Sequence, residues 1–107
     1  MEDLPIYEAI IKFRLRTESQ GGRKRPIRTH QYGCPLFFED YGYDCRFLNT
    51  ENIILELGKE YELPIKFLCP ELILPRLYVG AKVRLWEGKT IGEGEILKIN
   101  ETILKNL

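Results

Sequence analysis

Residues 7–16 read Tyr7-Glu8-Ala9-Ile10-Ile11-Lys12-Phe13-Arg14-Leu15-Arg16, and this stretch decides the fold class. Ala9, Ile11, Phe13 and Leu15 recur at every second position, and Glu8, Lys12, Arg14 and Arg16 take the positions of opposite parity. Successive side chains of a strand point to opposite faces, so the spacing predicts a strand with one face in a core and one in solvent. The run ends at Thr17-Glu18-Ser19-Gln20-Gly21-Gly22, a polar turn whose two glycines are free to take positive φ.

The same period continues outward from this run. Residues 23–34 carry a basic cluster without periodicity and read as an exposed loop or irregular edge. Leu36-Phe37-Phe38 restores the strand signal, followed by Tyr41, Tyr43, Cys45 and Phe47 in alternation. Asn49-Thr50-Glu51-Asn52 reads as a turn, and Ile53, Leu55 and Leu57 as a short strand ended by Gly58. Tyr61, Leu63, Ile65, Phe67 and Cys69 alternate next. Pro64 has no backbone donor, which predicts an edge or a bulge there. Residues 70–75 read as a loop, although Leu72, Ile73 and Leu74 are greasy for one. Ala81, Val83 and Leu85 lead through Glu87-Gly88-Lys89, a compact hairpin, into residues 90–99. Gly92 and Gly94 inside that last strand imply a bulge or close backbone contact. About six strands without a long helical period favour a closed barrel or sandwich. The inward set is then Ala9, Ile11, Phe13, Leu15, Leu63, Ile65, Phe67, Val83 and Leu85.

The chain has 107 residues, the size of one domain, with the barrel over residues 7–100 and a tail over 101–107. A hydrophobic fraction of 44% excludes a disordered segment. Sixteen basic residues offset sixteen acidic ones, so net charge points to neither nucleic acid nor membrane. No apolar run approaches the roughly 18–20 residues of a membrane span. The acidic start Met1-Glu2-Asp3 lacks the pattern of a signal peptide. Cys34, Cys45 and Cys69 form no CxxC pair, so three free thiols, no metal site and a reduced, cytoplasmic setting are expected.

Catalytic constellations are missing. The single histidine, His30, lies in the basic loop beside no Gly-x-Ser-x-Gly elbow and reads as solvated or loop-packed. Cys34 lies four residues on, but a Cys–His pair there has no third group to orient it. Gly21-Gly22-Arg23-Lys24 opens no helix and is not a phosphate loop. Glu39, Asp40 and Asp44 read as the solvent face of a strand. No enzyme activity, cofactor, metal or nucleotide is expected.

One charge feature stands apart. Lys12, Arg14, Arg16, Arg23, Lys24, Arg25 and Arg28 are opposed within residues 12–30 only by Glu18. Such a patch suits phosphate backbone or an acidic protein surface.

The order of features resembles a known family. The alternating strand runs into Gly21-Gly22-Arg23, a Pro26 loop and Pro35-Leu36-Phe37-Phe38. Then come Leu57-Gly58-Lys59, a Cys69-Pro70 turn and the ending Leu85-Trp86-Glu87-Gly88-Lys89-Thr90-Ile91-Gly92-Glu93-Gly94. This resembles the third, C-terminal β-barrel domain of bacterial elongation factor Tu, over nearly the whole chain. The resemblance implies a six-stranded antiparallel β-barrel that serves as a docking module. In the family this domain meets the T-stem of aminoacyl-tRNA, the GTPase domain and the exchange factor. The tRNA-contacting turn and hairpin correspond to Arg23, Lys24, Glu87 and Gly88. The sequence departs from the family at Leu36, where a Gln is usual, and at Asp40-Tyr41-Gly42-Tyr43-Asp44, which replaces a Thr-rich loop. No GTPase domain accompanies the barrel here, so GTP hydrolysis is not expected.

The functional expectation is a non-catalytic binding module that engages a protein partner, in a decoy, regulatory or toxin-immunity role. The alternative is a tRNA- or RNA-binding module that uses residues 12–28. Recognition is expected at one end of the barrel, where Arg23, Lys24, Arg25 and Arg28 would stand near Glu87, Gly88 and Lys89. Residues 71–75 and Trp86 are a second candidate surface, unless they pack under the tail.

Overall fold

The computed structural model describes residues 7–29 and 31–105. Six strands form the chain's framework: β1 (Ala9–Leu15), β2 (Gly33–Phe38), β3 (Tyr41–Phe47), β4 (Glu60–Phe67), β5 (Lys82–Trp86) and β6 (Thr90–Ile99). Among the described residues they are joined by two short helices, α1 (Pro70–Ile73) and α2 (Glu101–Lys105), and a 3-10 turn (Glu18–Gln20). The strands close into an antiparallel barrel in the order β1-β4-β3-β2-β5-β6. All nine residues of the inward set are buried, with Ala9, Ile11, Leu15, Ile65 and Leu85 wholly so. Phe13 lies at the centre, its ring 5.0 Å from that of Phe47 and 6.0 Å from that of Tyr61.

β6 carries the irregularities that closure requires. Ile11 pairs with Ile96 but Ile10 with Lys98, so Leu97 is an extra residue on that side. Leu85 pairs with Gly92 but Trp86 with Thr90, which makes Ile91 extra on the other side. A bulge of this kind resets the inside–outside parity of a strand. Ile91, Ile96 and Ile99 are therefore all buried despite breaking period two. Gly94 answers a separate need: a Cβ there would stand 2.8 Å from the Lys12 carbonyl oxygen across the ladder.

Several local readings are corrected. Glu8 belongs to no polar face: it is buried, and its carboxylate accepts the Phe67 N–H at 2.5 Å. Ile53, Leu55 and Leu57 form no strand. Only Leu55 pairs, as a single bridge to Ile27, which is itself buried in the supposedly exposed loop. Residues 70–75 are not a loop, because α1 turns Ile73 and Leu74 into the core and leaves Leu72 outside. Pro64 marks no sheet edge, since β4 pairs with β1 and β3. Its carbonyl accepts from Leu48, just past the end of β3, so its missing donor faces a position where the ladder has stopped. Cys69 leaves the inward alternation and is exposed. Glu39 and Asp40 form the two-residue turn between β2 and β3, with Glu39 at a φ of 56°; only Asp44 lies in a strand. Trp86 rests on Phe37, 5.0 Å between rings.

Burial pushes the Glu8 carboxyl above its ordinary value, and the Phe67 N–H and the charge of Lys66 pull it partly back. The folded chain then holds this proton more tightly than the unfolded chain does, so stability falls as pH rises through that interval. Glu8→Gln keeps an acceptor for Phe67 and removes the charge. The variant is expected to melt higher than the native protein at neutral pH. Its advantage should shrink as pH drops into the ordinary carboxylate range, and a constant difference across pH would contradict this account.

Candidate functional site

The strand part of the basic cluster is neutralised by its neighbours. Lys12 faces Glu62 on β4 and Glu95 on β6, and Arg14 faces Glu60 and Glu93 in the same way. Arg16 forms an ion pair with Glu93 at 2.8 Å, and Lys82 pairs with Glu95. The Lys82 hydrogen bond and charge hold the Glu95 carboxyl below its usual range. Directly opposed opposite charges are the favourable cross-strand arrangement. The outer face of β1 is therefore a mixed-charge ladder rather than a cationic strip.

The loop part of the cluster sits at the β5–β6 hairpin. The 3-10 turn is held by a capping box, in which Thr17 takes the Gln20 backbone N–H and the Gln20 side chain takes the Thr17 N–H. Gly21 closes it in the left-handed region at φ 84°. Gly22 sends its N–H to the Thr17 carbonyl at 2.8 Å and lies so close to Arg16 that a Cβ would stand 2.2 Å from the Arg16 oxygen. This tight exit aims Arg23 at the hairpin, where its guanidinium grips both Glu87 carboxylate oxygens at 2.5 and 2.7 Å. Arg23 Nε also donates to the Arg25 carbonyl at 3.1 Å, and its guanidinium lies 5.9 Å from the Tyr32 ring centre. The Tyr32 hydroxyl donates to Glu87.

Arg23 and Glu87 are thus brought together, but as partners that satisfy each other. Lys24, Arg25, Arg28, Gly88 and Lys89 are exposed, and among the described residues Arg25 is held only through its backbone carbonyl by Arg23, with no hydrogen bond or ion pair from the side chains of Lys24, Arg25, Arg28 or Lys89. Arg28 follows Ile27, whose bridge to Leu55 carries that part of the loop toward residues 53–57. The expectations for His30, including its pairing with Cys34, fall outside the described residues.

The opposite end of the barrel carries a surface that sequence reasoning did not assemble. β2 runs antiparallel to β5, so the β2–β3 turn lies away from the β5–β6 hairpin. Arg76 reaches this turn from the segment after α1, donating to Glu39 at 2.5 Å and to the Tyr43 hydroxyl at 2.9 Å. Its guanidinium also lies 6.0 Å from the Tyr41 ring centre. Tyr78 meets Phe38 edge-on, 6.0 Å between rings. Tyr41 is 62% exposed, Tyr78 59%, Val79 63% and Leu72 60%, far more than a folded core residue. The alternation of residues 41–47 set Tyr41 in one row with Tyr43, Cys45 and Phe47, of which Cys45 and Phe47 are buried and Tyr41 is not. Nothing in Arg76-Leu77-Tyr78-Val79 marked its return to the β2–β3 turn.

Among the described residues, no helix is long and apolar enough to cross a membrane. No protein-family model matches the chain, and no curated protein is similar to it.

Proposed function

We propose that this chain is a non-catalytic protein-binding module, of the docking kind that its resemblance to the elongation factor Tu barrel implies, and that it docks through the Tyr41–Arg76–Tyr78 end. The observation that carries this reading is the exposed Tyr41 beside an arginine already fixed by Glu39 and Tyr43, with the exposed Tyr78 two residues on from that arginine. Tyrosine and arginine are enriched among the few residues that dominate the binding energy of protein interfaces. An arginine held in place before contact loses less side-chain freedom on binding. Recognition of RNA by residues 12–28 is the weaker reading, because Glu60, Glu62, Glu93 and Glu95 stand opposite the strand cations. That leaves Lys24, Arg25 and Arg28 as the exposed cations of the cluster's loop.

The test compares proteins captured from host lysate by three forms: native, Tyr41→Ser/Tyr78→Ser, and Lys24→Glu/Arg25→Glu. Exposed loop substitutions usually change stability by about 0.5 kcal/mol or less, and loss of the Tyr78–Phe38 ring contact adds about 0.5–1.5 kcal/mol, so the tyrosine variant should melt slightly lower but remain folded. The tyrosine variant is expected to lose partners that the native and loop variants both retain, with affinity at least tenfold weaker. If the loop variant alone loses them, docking moves to the Arg23–Lys89 end. Tight tRNA binding would favour the nucleic-acid reading if log K falls by about 0.9 per phosphate with log salt.

A further inference from the structure

Cys34 and Cys45 are eleven residues apart in sequence and directly opposite each other across β2 and β3. The Phe47 N–H donates to the Tyr32 carbonyl at 2.9 Å, which makes Tyr32 and Phe47 a hydrogen-bonded pair of the ladder. Pair types alternate along an antiparallel ladder, so Cys34 and Cys45, two positions on, are of the same type. The α-carbons of such a pair stand about 5.5 Å apart. That lies inside the range of roughly 4.4–6.8 Å that a disulfide spans. The Cys45 thiol donates to the Cys34 carbonyl at 3.4 Å, which holds its sulfur over the facing residue. Both are free and buried. They nevertheless line an open groove of about 680 Å³, together with Gly33, Pro35, Arg46 and Lys66.

The two sulfurs have different surroundings. Cys34 is reached by the Cys45 thiol, the Tyr32 hydroxyl and the Trp86 backbone N–H, and these donors lower its thiol pKa against the effect of burial. Cys45 donates to Cys34 and is buried, and both effects push its thiol well above the ordinary value. A thiolate is the reactive form of cysteine, so the chemistry is directed to Cys34.

We propose that Cys34 and Cys45 form a reversible redox site, in which Cys34 is oxidised by a hydroperoxide and Cys45 resolves the product to a cross-strand disulfide. In the first step the Cys34 thiolate attacks the hydroperoxide. An S–O bond forms, the O–O bond breaks, and the departing alkoxide or hydroxide takes a proton. Sulfur loses two electrons and the peroxide gains them. In the second step the Cys45 sulfur attacks the Cys34 sulfenic acid. The S–S bond forms, the S–O bond breaks, and hydroxide leaves as water with the Cys45 proton. An external dithiol returns the pair to thiols by exchange.

This site extends to the surface. Tyr32, two residues before Cys34, donates its hydroxyl proton to the Glu87 carboxylate. Glu87 is in turn held by Arg23. The proposal is independent of the docking end, which lies at the other end of the barrel.

The test uses the full chain with Cys69→Ser, because Cys69 is exposed and would react on its own. Hydrogen peroxide is expected to convert the folded monomer to a species lighter by two hydrogen atoms, with both alkylatable thiols lost. Dithiothreitol should restore them. With Cys45→Ser added, dimedone should trap a sulfenic acid on Cys34; with Cys34→Ser added instead, Cys45 should stay a thiol. If the serine variants do not fold, limiting iodoacetamide on the Cys69→Ser protein replaces them, and Cys34 is expected to alkylate at least tenfold faster than Cys45. Persistence of both thiols in peroxide, oxidation only as intermolecular dimers, equal alkylation rates, or a dimedone adduct on Cys45 would each overturn the proposal.

Discussion

Phe13→Ala is expected to destabilise the domain by about 3–5 kcal/mol, the usual cost of truncating a buried phenylalanine. The ring is 2% exposed and wedged between Phe47 and Tyr61, and the ladders on either side of β1 leave little room for the backbone to close the void. Domains of this size are stable by about 5–15 kcal/mol in total. Alanine should therefore leave a folded but fragile barrel, and Phe13→Asp should leave none, because a carboxylate with no partner would enter the core. Urea titration followed by tyrosine and tryptophan fluorescence measures both. A loss under 1 kcal/mol for the alanine variant would mean that Phe13 is not the centre of the barrel.

The second large effect is expected at Gly22. A methyl group there would meet the Arg16 carbonyl oxygen at 2.2 Å, its carbon at 2.6 Å and the Arg16 Cβ at 2.7 Å. These atoms belong to the residue just past the end of β1 and have no flexible arm with which to retreat. Forced overpacking costs about 1–3 kcal/mol and sometimes more. Gly21→Ala is the matched comparison, since its Cβ would meet nothing within 4 Å and only its positive φ is penalised. A left-handed non-glycine residue costs about 1–2 kcal/mol. Gly22→Ala should lose more stability than Gly21→Ala, and it should also displace Arg23 from Glu87. Equal losses in the two variants would place the strain in the turn's dihedrals rather than in its contact with β1.

The contrast between these neighbours shows where sequence reading succeeds and where it stops. Both glycines were read as positive-φ positions, because a Gly-Gly pair in a polar segment carries that local signal. Only Gly21 uses it. The reason for Gly22 is a contact with Arg16, a fact of folded geometry. The barrel itself was legible because its core rests on local alternation: Ala9 to Leu15 and Leu63 to Phe67 announce their buried faces by spacing alone. The basic cluster was misjudged for the opposite reason. Its neutralising acids lie on β4 and β6, more than forty residues away, and charge balance within residues 12–30 says nothing of them. The Cys34–Cys45 pair was invisible to motif spacing for the same reason, since strand register and not sequence distance brings the thiols together. Glu8 was placed on the polar face because parity assigned it there, whereas Phe67 offered a donor inside.

The last strand has a consequence for how the chain is made. β6 lies between β1 and β5, so the first and last strands of the barrel are neighbours, and Asn100 is tied to Tyr7 and Glu8 by hydrogen bonds to their carbonyls. During synthesis, residues 90–99 are still inside the ribosome when the other five strands have emerged. Until they follow, β1 and β5 each present an unpaired ladder edge, the kind of surface on which nascent chains associate with one another. A stalled or truncated product ending before Thr90 would keep those edges open, whereas release of the final strand removes both at once.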